Sequence, residues 1–189
     1  MTAVIPDNLF FAIQPDEDTA TCIFNSGSTL RALHRLRGRL IAPERLHITL
    51  HFLGDFDAAV AGRAMEAVRS MRAEPIDIIL DRAKSFSNRR QMRPFVLVSA
   101  APSHELRSFQ KKLAAALLKA GLRNEVRSFK PHLTLLYDEQ VVKERPVTPI
   151  RWTVHEFVLV HSFVGRSRYE TLGRWPLKCS SVQAGLFDN

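Results

Sequence analysis

Two short stretches, HITL from His47 and HLTL from His132, repeat the order histidine, spacer, threonine, leucine. In an extended strand alternate side chains share a face, so each histidine lies beside its threonine, about 7 Å along the strand. An imidazole and a hydroxyl at that separation reach one tetrahedral anion together. The alternation assigns Leu46, Ile48, Leu50 and Phe52 to the core face of the first strand, and His47, Thr49 and His51 to the other. In the second, Leu133 and Leu135 face the core while His132 and Thr134 share the opposite face. One such pair reads most simply as a half-exposed polar strand face. Two copies in similar apolar settings, nearly half a chain apart, point to a duplicated lobe. A pseudo-two-fold axis would then gather two imidazoles and two hydroxyls around one pocket.

The chemistry open to that set is proton transfer at phosphorus. Histidine titrates near pH 6.5, so one ring can be neutral while its partner is protonated, as paired general base and general acid work requires. Hydroxyls donate to non-bridging phosphate oxygens as charge develops. A strained cyclic phosphodiester suits the set best, because its leaving oxygen stays tethered and needs a proton. Metal chemistry fits poorly. His47 and His51, four apart on a strand, are separated by about 13 Å, whereas a Zn–N bond is about 2 Å. No cofactor is expected. There is no G-x-S-x-G elbow, and Cys22 and Cys179 have no flanking feature that would make either thiol a nucleophile. His51 reads as a surface or supporting residue at the strand end.

Strands alternate with helices around the motifs. Residues 8–13, 46–53, 76–80, 95–100, 132–137, 154–162 and 169–177 read as strands. Helices are expected from Ile23 to Leu36, from Val60 to Met71, and from an N-cap at Ser103 to Gly121. Several strands follow one another with no helix between, which gives an α+β fold with antiparallel pairing. The stretch VVKERPVTPIRW, with two prolines, reads as a surface connection.

Composition bounds the rest. The 189 residues are 46% apolar and 24% charged, ordinary for a globular chain with one sizeable core or two lobes sharing it. No apolar run reaches the roughly 18 residues of a membrane span, and the N-terminus lacks the basic region of a signal peptide. Two distant cysteines without C-x-x-C suit free thiols in a reducing cytoplasm. The net charge of +8 favours a polyanionic partner.

The paired motifs resemble the signature of the 2H phosphoesterase superfamily, and most closely its RNA 2′,3′-cyclic phosphodiesterase branch, often called 2′-5′ RNA ligases. LFFAIQP, RLHITLHFLGDF, FKPHLTLLYDE and LVHSFVGRSRYETLGRWPL fall in the order that branch shows. The resemblance implies a bilobal, duplicated fold: two antiparallel sheets with outer helices around a central cleft, all within one domain spanning 1–189. It also implies His47 with Thr49 and His132 with Thr134 as the active site. In the implied reaction a water deprotonated by one histidine attacks phosphorus in line, and the other protonates the departing 3′ oxygen, leaving a 2′-phosphate. His132 is assigned as base and His47 as acid. Many members of the branch have Arg where Tyr137 stands; the alternation puts Tyr137 on the core side.

Further candidates surround this centre. RAKSFSNRRQMRPF reads as a basic loop whose Arg82, Lys84, Arg89, Arg90 and Arg93 either track an RNA backbone or form a solvated hairpin. Arg127 is within reach of a phosphate. Phe11 and Tyr169 either stack a base or pack in the core. The expected substrate is RNA or a nucleotide ending in a 2′,3′-cyclic phosphate, bound by a monomer. Two alternatives stand beside it: the same fold acting on another cyclic nucleotide or forming 2′-5′ linkages, and a non-catalytic RNA-binding module. Intact His and Thr at all four positions speak against the last.

Overall fold

The computed structural model describes residues 7–86, 91–101, 103–122 and 128–178. Strand β1 (Asn8–Ile13) leads into α1 (Glu17–Leu33), then a 3-10 turn (Pro43–Arg45) and β2 (Ile48–Asp55). Helix α2 (Ala58–Val68) and strands β3 (Ile76–Ser85) and β4 (Arg93–Val98) follow. Then come α3 (His104–Lys119), β5 (Leu133–Asp138), β6 (Arg145–Val154), β7 (Glu156–Phe163) and β8 (Arg168–Pro176).

Each helix starts where a side-chain oxygen takes up orphan N–H groups. Asp16 accepts from Thr19 N at 2.8 Å, and Asp57 from Ala59 N and Val60 N at 2.7 and 3.0 Å. Ser103 accepts from Leu106 N at 3.2 Å, the cap expected of it. The helix stripes, including Ile23, Ala64, Phe109, Leu113 and Leu117, join Phe11, Ile48, Phe95, Leu97 and Leu133 in one buried cluster. A second, smaller cluster contains Phe10, Ala12, Val158 and Val160, flanked by Phe52 and Tyr169. It occupies the other side of the sheet, which carries the histidine pairs.

The strands form one eight-stranded antiparallel sheet in the order β6-β3-β4-β5-β2-β1-β7-β8. The two separate sheets expected from the resemblance are therefore one. The reason lies in the motif strands themselves: β2 and β5 hydrogen-bond to each other at the centre, through the single register pair Ile48↔Leu133.

Three further expectations change. The proline-bearing stretch is a connection only as far as Glu144; from Arg145 it is β6, an edge strand that includes both prolines, Pro146 and Pro149. A sheet edge tolerates a residue that cannot donate to a ladder, and Pro146 stands opposite Arg82 there. The basic loop is shorter than expected. Arg82 and Lys84 lie within β3 and Arg93 within β4, while Arg89 and Arg90 fall outside the described residues. Finally, strict alternation fails on both motif strands. Against β1, Phe11 pairs with His51 and Ala12 with Thr49, so Leu50 is an extra, bulged residue. Against β4, Phe95 pairs with Leu136 and Val96 with Thr134, so Leu135 is bulged in the same way. A bulge switches the face of every residue beyond it. Hence His51 leaves the face of His47 and Thr49 and is buried, at 5% exposure, rather than lying on the surface. Phe52 crosses to the smaller cluster, and Tyr137 leaves the core side and is 50% exposed.

Candidate active site

The four motif residues surround one register pair. Ile48 and Leu133 face each other and are buried, at 1% and 0% exposure. Counting one residue each way along antiparallel strands sets His47 across from Thr134 and Thr49 across from His132. Cross-strand neighbours stand about 5 Å apart and diagonal ones about 7–8 Å. The two imidazoles thus occupy one diagonal of a small quadrilateral and the two hydroxyls the other. All four line a cavity of about 490 Å³, together with Arg39, Arg45, Tyr137, Ser167 and Tyr169.

The two rings are held alike. His47 Nδ1 donates to the carbonyl of Arg45 at 2.8 Å, and His132 Nδ1 donates to the carbonyl of Lys130 at 2.7 Å. Each acceptor lies two residues upstream, so each motif carries its own tautomer-setting group, and Nε2 is left for proton transfer. Aromatic rings hold the imidazoles from behind. Phe10 stacks on His47 at 4.9 Å and 25°, with Tyr169 edge-on at 5.6 Å. Phe86 meets His132 edge-on at 4.8 Å.

Both rings keep part of their surface open to the cavity while being packed by protein. Burial pushes His47 down to about 4; the Arg45 carbonyl opposes this, and the charges of His132 and Arg45 add to it. Burial also lowers His132, against the pull of the Lys130 carbonyl.

The cavity wall is pinned to β5. Asp138, 6% exposed, accepts from Arg37 N at 2.6 Å and Gly38 N at 2.7 Å, and also from Gln140 N at 2.9 Å. Ile41 N donates to the carbonyl of the bulged Leu135 at 2.8 Å. Residues 39–42 are thereby held along the pocket. Gly38 is required by close approach: a Cβ there would lie 2.0 Å from the Tyr137 carbonyl oxygen.

Of the other expected site residues, Tyr169 joins the pocket and Phe11 does not. Phe11 is fully buried against Phe157 and Trp175, because the side chain one position earlier, Phe10, is the one that β1 turns toward His47. Arg127, like Arg89 and Arg90, lies outside the described residues. Lys84 pairs with Glu144 at 2.5 Å, and Arg93 donates to the Glu139 carbonyl at 2.9 Å. Sequence reasoning missed Arg39, Arg45, Phe10, Phe86 and Ser167. Only Arg45 left a signal, standing two before His47 in phase with the polar face. Among the described residues no group of three or more His, Cys, Asp or Glu offers a metal-ligand set, and no helix is long and apolar enough to cross a membrane.

A family model described as the 2′-5′ RNA ligase superfamily matches residues 23–165, most of the chain and both motifs. The chain belongs to the 2′-5′ RNA ligase superfamily. The enzyme family expected from the two motifs is thus the family found. Among similar proteins, the RNA 2′,3′-cyclic phosphodiesterase of Escherichia coli K12 is 31% identical over 91% of this chain and 97% of its own length. That of Methanothermobacter thermautotrophicus is 30% identical over 67% of this chain and 68% of its own. Among solved structures, E. coli LigT complexed with 3′-AMP superposes with a TM-score of 0.76 at 28% identity, covering 92% of this chain and 99% of that one. This member of the superfamily is an α+β chain, built on a single antiparallel sheet.

Proposed function

We propose that this protein hydrolyses 2′,3′-cyclic phosphodiesters at RNA ends or on nucleotides, without a metal, leaving a 2′-phosphate. One observation carries the reading. Two imidazoles, each with Nδ1 committed to a carbonyl two residues upstream, share one cavity with two threonines set across from them. Binding alone would not need two rings prepared in the same tautomer. The names of the similar proteins support the same substrate class.

In the mechanism one of the two rings, His47 or His132, is the base and the other the acid; both are held alike, each through Nδ1. Burial lowers both rings, and the reactive pair is one neutral and one protonated imidazole. The neutral ring's Nε2 takes a proton from water as its oxygen attacks phosphorus in line. The P–O3′ bond breaks, and the protonated ring's Nε2 gives its proton to the departing oxygen. Thr49 and Thr134 donate to the non-bridging oxygens. The whole chain acts as one domain, 1–189, whose two halves are pseudo-symmetric lobes meeting at Ile48 and Leu133. One chain carries all four residues, so a monomer suffices.

The test is to incubate the protein with a panel of 2′,3′-cyclic nucleotides, a cyclic-phosphate-ended RNA and 2′-5′ dinucleotides, with and without exhaustive chelation, and identify the products. A 2′-phosphate formed at an unchanged rate under chelation is expected. A 3′-phosphate product, or activity restored only by a divalent ion, would overturn the scheme.

A further inference from the structure

We propose that Arg45 anchors the scissile phosphate, its guanidinium preset over Tyr169 to donate to a non-bridging oxygen of the phosphodiester. This rests on the phosphodiesterase reading above and adds a charged residue to it.

Arg45 ends the 3-10 turn that delivers β2 to the cavity. Its carbonyl holds His47, and its side chain lines the same cavity as both histidines and both threonines. The carbon of its guanidinium sits 4.7 Å from the centre of the Tyr169 ring. Tyr169 is itself fixed edge-on against Phe10 at 5.8 Å and against His47 at 5.6 Å. The guanidinium is thus positioned relative to His47 by a continuous run of rings.

Among the described residues, what holds the Arg45 side chain is this stacking. Its Nε is shut from solvent and donates to no acceptor, and the side chain makes no hydrogen bond or ion pair with the described residues. A structural arginine at this depth ordinarily meets a carboxylate or carbonyl. Here the donors of the outer fork remain for a ligand, and a planar fork matches the oxygens of a phosphate.

The charge balance of the cavity favours such a group. A cyclic phosphodiester enters with one negative charge and gains more as water adds. Threonine hydroxyls and the base histidine are neutral, and the acid histidine gives up its positive charge with its proton. Among the described lining residues the fixed cations are Arg39 and Arg45, opposed by Glu44. Arg45 is the one coupled to a catalytic histidine through its own backbone. A guanidinium already stacked gives up little side-chain freedom on binding, which suits stabilisation of charge that appears only as water attacks.

Arg45→Met keeps an unbranched apolar stem on Tyr169 and removes the charge and donors; Arg45→Lys keeps the charge and removes the fork. Two readouts separate the possibilities. The first is binding of inorganic phosphate, followed through the histidine ring resonances, which requires no turnover. The second is kcat/KM on a 2′,3′-cyclic mononucleotide and on an RNA oligomer with the same end. Arg45→Met is expected to weaken phosphate binding at least tenfold and lower kcat/KM on both substrates about 100-fold, with Arg45→Lys between it and the parent. Parental phosphate binding and turnover in Arg45→Met would reduce the residue to packing and overturn the proposal. A loss confined to the oligomer would place the guanidinium on an upstream phosphate and overturn it equally. If the parent binds phosphate through Arg45 yet hydrolyses no cyclic nucleotide, the anchor stands and the phosphodiesterase reading falls.

Discussion

His47 and His132 share a backbone restraint but differ in burial, and that difference sets the pH behaviour. In the proposed reaction the base must be neutral and the acid protonated. With His47 near 4 and His132 below its ordinary 6.5, kcat/KM should follow a bell displaced to the acid side, highest between about pH 4 and pH 6.5. The limbs belong to the interacting pair. A steady-state profile on a cyclic mononucleotide checks this; a maximum above pH 8 would contradict it. His47→Ala and His132→Ala should each lower kcat by about 100-fold or more with the fold retained. Stability carries a matching sign. Between about pH 6.5 and 4 the unfolded chain takes up a proton on His47 that the folded chain refuses, so stability falls as pH falls through that window. Denaturant midpoints measured across it should slope less in His47→Ala than in the parent.

At the scale of elements, the bulges at Leu50 and Leu135 and the clip at Asp138 decide what lines the pocket. Burial alone would raise the Asp138 pKa, but the N–H donors of Gln140, Gly38 and Arg37 outweigh it and hold the carboxyl below its usual range. A depressed carboxylate contributes stability above its unfolded pKa, near 4, and that contribution is lost as pH falls through the folded value. Asp138→Ala leaves these N–H groups without their acceptor and should cost about 3 kcal/mol by denaturant unfolding. Freed from β5, residues 39–42 should loosen, so KM should rise more than kcat falls. Unchanged stability and KM would mean that the loop is held elsewhere. Strand alternation would carry Tyr137 into the core and His51 into the pocket. Neither goes there, because each bulge adds one residue directly after its threonine.

At the scale of the molecule, the two halves of the sheet meet along β2 and β5 at the single pair Ile48↔Leu133. The quartet proposed as catalytic is built across that seam, so the seam's packing sets its dimensions. Leu133→Ala, at a position with no exposed surface, should destabilise the protein by about 2–5 kcal/mol through the cavity it leaves. It should also lower kcat well below the temperature of unfolding, because both histidine–threonine pairs move with the seam. An equal truncation far from it, Leu113→Ala in α3, should cost comparable stability and leave kcat near the parental value. Equal kcat in the two variants would show that the quartet does not depend on the seam.

By itself the sequence determined the candidate site and its family: two histidine–threonine pairs, their placement on strands, and the alternation of helices with antiparallel strands. These are local properties, written in residue type and a spacing of two. Whatever depended on partners distant in the chain was decided only by tertiary structure. The pairing of β2 with β5 made one sheet of two, since a strand's neighbours are not encoded in its own pattern. The bulges showed only against β1 and β4, because an extra residue is defined by the strand it fails to match. The proline-bearing stretch became a strand because it lies at an edge, where a missing donor goes unused. Arg45 acquired its place from Tyr169, more than 120 residues away, whose ring fixes a guanidinium that the sequence marks only by its phase with His47.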